Sequence, residues 1–255
     1  MIAFDGAAKT YAGRRVVGPL NLSIERGEFV AFLGASGSGK TTSLKMINGL
    51  AIPDAGTVSI DGRAVGEEPL PALRRRIGYV FQEIGLFPHL TVAENIAVGP
   101  RLAGWPAPRI AARTTELLAL IALPADIAGR LPAALSGGQR QRVGLARALA
   151  AGPGIMLMDE PFGALDPVTR DALGRDYRAL HERLGLTTVM VTHDVLEALL
   201  LADRIVVLDD GRIVADGPPS ALLVDQEDPG VRRLMETPRR QIRRLEALQA
   251  GAGHG

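Results

Sequence analysis

Cysteine is absent from this sequence of 255 residues. Its absence excludes disulfide bonds, zinc sites with thiolate ligands and thiol catalysis, and it suits a reducing compartment. Long apolar runs are missing too, since stretches without a charged residue, such as Phe29 to Gly39, reach only about eleven residues against the roughly 18 that a membrane span needs. Asp5 interrupts the N-terminus too early for a secretory signal, so we expect a cytoplasmic location.

A net charge of one sign is also missing, because 29 Lys and Arg residues face 28 Asp and Glu residues, for a total of +1. This balance excludes a strong general attraction to nucleic acid. It conceals a basic tail, since residues 231–255 hold six arginines and two glutamates. A solvated helix and contact with an anionic membrane surface are equally good interpretations of that tail. Lysines are rare, so Lys40 is more informative than a typical basic residue.

The order of apolar segments predicts an α/β fold with a mixed sheet. Near the N-terminus, Val16 to Ile24 and 28–33 predict strands, and Asp61-Gly62 predicts a tight turn after the strand Thr57 to Ile60, which indicates an antiparallel section. Further strands are predicted at 77–82, 155–158 and 187–192, with a closing hairpin at 205–214. Helices are predicted at 41–50, 110–123 and 168–183. A Pro-punctuated helical insertion begins at about 83 and ends at about 135, or at 150 with the helix that follows.

One segment matches the phosphate-binding pattern G-x-x-x-x-G-K-[ST]. It reads Gly34-Ala35-Ser36-Gly37-Ser38-Gly39-Lys40-Thr41. It follows a predicted strand and opens a predicted helix, so backbone N–H groups and the positive end of the helix dipole would face a phosphate. Lys40 would bridge the β- and γ-phosphates and Thr41 would hold Mg²⁺. A flexible glycine-rich turn is the weaker alternative.

Two further strands end in polar residues. The apolar run Ile155 to Met158 leads directly into Asp159 and Glu160. At this edge of an open α/β sheet, Asp159 would hold Mg²⁺ through water and Glu160 would polarise the attacking water. His193 ends the neighbouring strand and would reach the same γ-phosphate.

The element that separates this chain from other phosphate-loop enzymes is Leu135-Ser136-Gly137-Gly138-Gln139. Ser136 and Gln139 form the S-x-x-Q pattern of a capping box, which an ordinary helix start would also explain. The two glycines are unfavourable in a helix by about 1 kcal/mol each, yet they allow a phosphate to approach bare N–H groups.

These motifs together make residues up to about 225 resemble the ATP-binding subunit of an ABC transporter. The resembling segments are the Gly34 to Thr42 loop, Gln82, Leu135 to Gln139, Asp159-Glu160, Ala164-Leu165-Asp166 and His193. The resemblance implies a phosphate-loop NTPase core with an N-terminal antiparallel β part and a helical insertion subdomain. It divides the chain into an ATP-binding domain, 1–228, with the helical subdomain at about 83–150, and a basic tail, 229–255.

The resemblance also implies a head-to-tail homodimer that sandwiches two ATP molecules with Mg²⁺. One subunit would bind each ATP through its phosphate loop, including Thr42, and the other through Ser136, Gly137, Gly138 and Gln139. It implies that Tyr11 stacks on adenine, that Gln82 senses Mg²⁺ and the membrane subunit and takes part in catalysis, and that Asp166 communicates across the dimer. The implied partners are transmembrane permease subunits at the cytoplasmic face of the membrane and, indirectly, a substrate-binding protein, with no nucleic acid.

Three segments resemble importers of osmoprotectants such as glycine betaine, choline and carnitine. They are 81–96, 102–105 and 162–170. In the first, Ile84, Leu86 and Phe87 would be exposed and would form a docking groove for a helix of the membrane subunit, or would instead pack inside the helical insertion. Those importers often carry regulatory domains after the ATPase, for which this sequence has no room. An importer for another small molecule of the amino-acid type, and a soluble ABC ATPase without a transport role, remain alternatives.

Overall fold

The computed structural model describes residues 1–224 and 228–236, together with residues 240 and 244. Within these residues the strands, in chain order, are β1 (Ile2–Tyr11), β2 (Arg14–Ile24), β3 (Phe29–Leu33), β4 (Ala55–Ile60), β5 (Arg63–Ala64), β6 (Ile77–Val80), β7 (Ile155–Asp159), β8 (Thr187–Thr192), β9 (Arg204–Asp209) and β10 (Arg212–Gly217). They form two sheets, one antiparallel and one mixed.

The antiparallel sheet has the order β2-β1-β4-β5. Along β1 the side chains of Ile2 and Phe4 are buried, whereas Asp5 is exposed, as expected for a strand with one face on the core. The sequence pattern did not predict β1. The antiparallel N-terminal section itself agrees with the expectation.

The mixed sheet has the order β10-β9-β3-β8-β7-β6 and is parallel except for the β9–β10 hairpin. The strands β3, β7 and β8 are buried along their whole length, which explains their continuous apolar composition. Leu33 pairs with Thr192, and Asp159 pairs with Val191, so these three strands end at one edge. The segments that follow them therefore emerge side by side.

Up to residue 224 the helices are α1 (Lys40–Ile47), α2 (Leu70–Arg75), α3 (Val92–Leu102), α4 (Ala107–Leu120), α5 (Gly137–Leu149), α6 (Pro167–Leu184), α7 (Val195–Leu201) and α8 (Pro219–Leu222). Two short 3-10 turns, Ala125–Gly129 and Pro132–Ala134, precede α5. Side-chain caps define several starts, including the capping box of Thr91 and Glu94 at α3. The predicted helix at 41–50 ends earlier, at Ile47, and the predicted strand at 77–82 ends at Val80. The helices α2 and α7 were not predicted.

Two apolar clusters lie on opposite faces of the mixed sheet. One contains side chains from β1, β2 and α1, and the other contains side chains from α3, α5 and α6. Val231 and Met235 are fully buried in the second cluster, so part of the predicted basic tail packs on the globular body. The predicted boundary between 228 and 229 stays a prediction. Beyond residue 236 the structure describes only Arg240 and Arg244, so Arg239 and Arg243 lie outside the described residues.

Candidate nucleotide site

The phosphate loop connects β3 to α1. Gly39 immediately before the helix has φ 97°, and a Cβ there would lie 2.7 Å from the Val16 carbonyl oxygen, so only glycine fits. The loop curls around the Lys40 ammonium, whose Nζ donates to the carbonyl oxygens of Gly34 at 2.7 Å and Ala35 at 2.6 Å. The amide-rich turn and the start of α1 thus surround one buried positive charge, which is a setting suited to an anion.

Two carboxylates lie close enough to the Lys40 ammonium to affect its pKa. Burial lowers the pKa of the Lys40 ammonium, and the nearby Glu160 and Asp159 carboxylates act in the opposite direction. A ligand phosphate would favour the charged ammonium in the same way as these carboxylates do. The buried lysine at the start of α1 is therefore placed to bind a phosphate oxygen.

Asp159 ends β7 directly beside the start of α1. Its Oδ1 accepts a hydrogen bond from Thr41 Oγ1 at 2.9 Å. Burial raises the pKa of this carboxyl, against the hydrogen bond from Thr41, which lowers it. Tyr79 on the neighbouring strand also hydrogen-bonds Asp159, and burial raises the pKa of the Tyr79 phenol. The sequence analysis did not single out Tyr79, because nothing local marks a strand tyrosine as a partner of Asp159.

Glu160 is the centre of a polar cluster. Its Oε2 accepts a hydrogen bond from Gln82 Nε2 at 3.2 Å and lies 3.2 Å from His193 Nδ1. These three residues follow β6, β7 and β8, and the parallel register brings them together. The structure therefore joins Gln82, Glu160 and His193 on one carboxylate oxygen beside Lys40 and Asp159, which is an arrangement able to orient and activate a water molecule.

The signature segment lies at the start of α5. Ser136 Oγ accepts from the Gln139 N–H at 3.2 Å, and the Gln139 side chain accepts from the Ser136 N–H at 2.9 Å, which confirms the capping box. Within residues 1–224 no hydrogen bond connects Ser136, Gly137, Gly138 or Gln139 to the phosphate loop. In a single chain these four residues therefore form a separate, partly exposed surface.

Gly138 has a packing role that the sequence analysis missed. A Cβ on Gly138 would lie 2.8 Å from Cγ2 of Thr169 on α6, whereas a Cβ on Gly137 meets nothing closer than 3.9 Å. The absence of a side chain at Gly138 therefore allows α5 and α6 to approach closely. Of these two glycines, Gly137 has no such packing explanation among the described residues.

Asp166 and Tyr11 lie outside the polar cluster. Asp166 caps α6, its Oδ1 accepting from the Thr169 N–H at 3.0 Å, and hydrogen bonds from Thr169 lower the pKa of this exposed carboxyl. Tyr11 ends β1 with 48% of its surface exposed, and Lys9 Nζ lies 5.4 Å from the centre of its ring. The exposed ring stands on the hairpin whose second strand contacts the phosphate loop through Val16.

The apolar loop after Gln82 is only partly exposed. Phe87 has 42% of its surface exposed, as expected, but Ile84 and Leu86 are half-buried, and Leu86 packs against the core. Arg147 fixes the loop by donating to the carbonyl oxygens of Ile84 at 2.7 Å and Gly85 at 2.6 Å. Two of the three side chains therefore pack inward and Phe87 faces outward, and docking of a membrane subunit at this loop stays a prediction.

Two further observations on the described residues concern membrane-spanning helices and metal ligands. None of the helices in the described part of the chain is long and apolar enough to cross a membrane. No group of three or more His, Asp or Glu side chains in the same part is arranged to hold a metal ion, so a cation at Thr41 and Asp159 needs further oxygen ligands.

Comparisons with known proteins identify the family. The family model described as "ABC transporter" matches residues 17–163. The choline transport ATP-binding protein OpuBA of Bacillus subtilis is 46% identical over 97% of this chain and 67% of its own length. The glycine betaine uptake system ATP-binding protein YehX of Escherichia coli is 48% identical over 91% of this chain and 76% of its own length.

The solved structures agree with the sequence relatives. The dimeric, post-hydrolysis structure of the ATP-binding cassette MJ0796 with ADP and phosphate has a TM-score of 0.78 and 35% identity, and it covers 86% of this chain and 99% of its own. The expected fold class and the resemblance to osmoprotectant importer subunits are confirmed by these comparisons. The chain belongs to the ABC transporter family, as an ATP-binding and ATP-hydrolysing subunit.

Proposed function

We propose that this chain powers the import of a quaternary ammonium osmoprotectant such as glycine betaine or choline. The observation that carries the ATPase part is the Glu160 carboxylate, held by Gln82 and His193 next to the buried Lys40. The solute class is supported by OpuBA and YehX, which are named for choline transport and glycine betaine uptake. The subunit would work at the cytoplasmic face of the membrane, bound to permease subunits and served by a substrate-binding protein.

The phosphate loop and Tyr11 would bind ATP within one subunit. Lys40 would exchange its hydrogen bonds to the carbonyl oxygens of Gly34 and Ala35 for contacts with the β- and γ-phosphates. The negative phosphates would stabilise the buried positive charge of Lys40 better than two neutral carbonyl dipoles do. The exposed ring of Tyr11 supplies an apolar face for the adenine. The remaining contacts of this subunit would come from loop N–H groups and from Thr42.

The residues near Asp159 fit a magnesium ion. The hydroxyl of Thr41 and the carboxylate of Asp159 are hard oxygen ligands that already lie 2.9 Å apart, and Gln82 offers an amide oxygen nearby. Because the described side chains alone do not complete a metal site, phosphate oxygens of ATP would supply the rest. When bound, Mg²⁺ would neutralise the charge that develops on the phosphates.

Glu160 would activate the water that attacks the γ-phosphorus. The carboxylate orients this water and takes up its proton while the bond between the γ-phosphorus and the ADP oxygen breaks. Gln82 and His193 hold Oε2, so the orientation of the carboxylate depends on both. His193 also lies at the strand end where it can hydrogen-bond a γ-phosphate oxygen.

The surface formed by Ser136, Gly137 and Gly138 would complete the second half of each site in a head-to-tail homodimer. Three facts support this dimer: the surface is partly exposed, it begins a helix, and it is not connected to the phosphate loop of its own chain. The MJ0796 cassette forms a dimer as well. Asp166, exposed at the start of α6, would then contact the partner subunit.

The Glu160→Gln variant tests the ATPase mechanism. We expect ATP turnover to fall by about 10²-fold or more, because the amide cannot accept the proton. ATP affinity should remain, so the variant should accumulate as an ATP-dependent dimer in size-exclusion chromatography. Near-normal turnover would show that Glu160 is not the base.

Uptake by reconstituted transporters tests the solute class. The subunit, its permease and its binding protein are placed in proteoliposomes with ATP inside, and uptake of labelled glycine betaine and choline is measured beside that of a neutral amino acid. We expect ATP-dependent uptake of the quaternary amines. Uptake of the amino acid alone would overturn the solute assignment and leave the ATPase assignment intact.

A further inference from the structure

Gln141 on α5 is a buried amide with a specific partner. Only 4% of its surface is exposed, and its Nε2 donates to the carbonyl oxygen of Pro161. Burial of an amide is unfavourable unless it is hydrogen-bonded, and an apolar side chain would fill this position on the inner face of α5 more easily. The hydrogen bond to Pro161, and not apolar packing, therefore accounts for an amide at this position.

The partner of Gln141 belongs to a strained turn that carries Glu160. Glu160 has φ 46° and precedes a proline, and both features are unfavourable for a residue with a side chain. The turn is held by the Glu160 N–H bond to the Val191 carbonyl at 2.9 Å and by the Gly163 N–H bond to the Glu160 carbonyl at 3.3 Å. The bond from Gln141 to Pro161 adds an attachment from a different element, the helix α5.

The same helix carries the signature segment at its start. Ser136 caps α5, and Arg140 Nη1 donates back to the Leu135 carbonyl at 2.6 Å, which ties the entering chain to the first turns. Because an α-helix is stiff over a few turns, a displacement of Ser136 moves Gln141 with it. The structure thus provides one continuous connection from Ser136 to the turn at Glu160.

We propose that Gln141 is a positioning residue that couples the signature segment to the Glu160 carboxylate of the same chain. This inference rests on the proposed function, because in a head-to-tail dimer those two segments belong to different ATP sites. Nucleotide bound against Ser136 and Gly137 at one site then sets the orientation of Glu160 at the other site through α5, Gln141 and Pro161. Gln141 makes hydrolysis at the two sites cooperative.

The Gln141→Met variant of the full chain tests this coupling. Methionine has a similar length and shape but cannot donate a hydrogen bond to Pro161. The measurement is steady-state ATP hydrolysis over a range of ATP concentrations, beside binding of a fluorescent ATP analogue. We expect turnover to fall by about 10-fold to 100-fold and the Hill coefficient to fall to about 1, with unchanged analogue affinity at the intact phosphate loop.

A matched control removes a different buried hydrogen bond from the helical subdomain. Thr114 Oγ1 donates to the Ile110 carbonyl at 2.9 Å on α4, and Thr114→Val removes that bond without touching α5 or the turn at Glu160. This control should keep wild-type turnover and cooperativity. If Gln141→Met does not fold, Gln141→Asn provides the test. Its shorter side chain keeps an amide group but reaches the Pro161 carbonyl oxygen less well. This variant should also lose cooperativity.

The outcomes separate this proposal from the proposed function. If the wild-type chain hydrolyses ATP cooperatively and a folded Gln141 variant keeps both turnover and the Hill coefficient, the coupling role of Gln141 is wrong and the ATPase assignment stands. Non-cooperative hydrolysis by the wild-type dimer overturns the coupling as well. If the wild-type chain neither hydrolyses ATP nor dimerises with it, the proposed function itself fails.

Discussion

A carboxyl group on α7 should make the protein less stable as the pH rises. Glu197 packs into the groove between α6 and α7, and its Oε1 is buried with no hydrogen-bond partner in the described part of the chain. Burial raises the pKa of this carboxyl from its ordinary 4.5 to about 7, although a hydrogen bond from Thr192 and the charge of Arg170 act in the opposite direction. In this groove the ionised form of Glu197 is therefore less stable than the protonated form.

The size of the effect follows from the two pKa values. Above pH 7 the carboxyl is ionised in both the folded and the unfolded chain, and its ionisation then lowers the free energy of unfolding by up to about 3 kcal/mol. Below the unfolded value of 4.5 it is protonated in both states, and this penalty is absent. Stability contributed by the neutral Glu197 is thus present at low pH and is lost as the pH rises toward 7.

The Glu197→Gln variant isolates this term, because the amide keeps the shape of the neutral acid and cannot ionise. Urea unfolding followed by circular dichroism gives the free energy of unfolding of both proteins near pH 5 and near pH 8. We expect the variant to be more stable than the wild type by about 2 to 3 kcal/mol near pH 8 and by less than about 1 kcal/mol near pH 5. The difference between the two proteins cancels other groups that titrate in this range. If the variant is stabilised equally at both pH values, or is not stabilised near pH 8, then ionisation of the buried Glu197 is not the cause of the loss of stability.

Two further predictions concern the signature segment and the apolar loop. Gly138→Ala should lower the free energy of unfolding of the isolated subunit by about 1 to 3 kcal/mol in urea unfolding, because its Cβ meets Thr169. Gly137→Ala should instead raise it by up to about 1 kcal/mol, because its Cβ meets nothing closer than 3.9 Å and alanine is the better helix former. Equal effects would contradict the packing role of Gly138. Phe87→Asp should weaken co-purification with the permease subunit while ATP affinity stays the same, since the exposed ring lies beside His89 and Arg147, which are not residues of the predicted ATP site. An aspartate at Leu184, another exposed apolar residue, should not weaken that assembly; undiminished assembly of the Phe87 variant would rule out docking at this ring.

Several features of the protein could be predicted from the sequence because they depend on neighbours along the chain. The phosphate loop requires glycines and one lysine at fixed spacing between a strand and a helix, and the capping box of Ser136 and Gln139 needs only four consecutive residues. Asp159 and His193 could be placed at the ligand edge because Asp159 ends one buried parallel strand and His193 follows another. A strand with only one buried face, such as β1, has no comparable signal, since its pairing with β2 and β4 determines which side chains are buried.

Contacts between distant segments were decided only by the tertiary structure. Gln141 and Pro161 are twenty residues apart, and the sequence does not show that the inner face of α5 lies against the turn after β7. The hydrogen bond between Tyr79 and Asp159 depends on the pairing of two parallel strands, and the role of Gly138 depends on how closely α5 approaches α6. Local patterns therefore predicted which residues are candidates for ATP binding and hydrolysis. The packing of helices and strands, which brings together side chains with no local relation, decided how Glu160 is held and which further residues hold it.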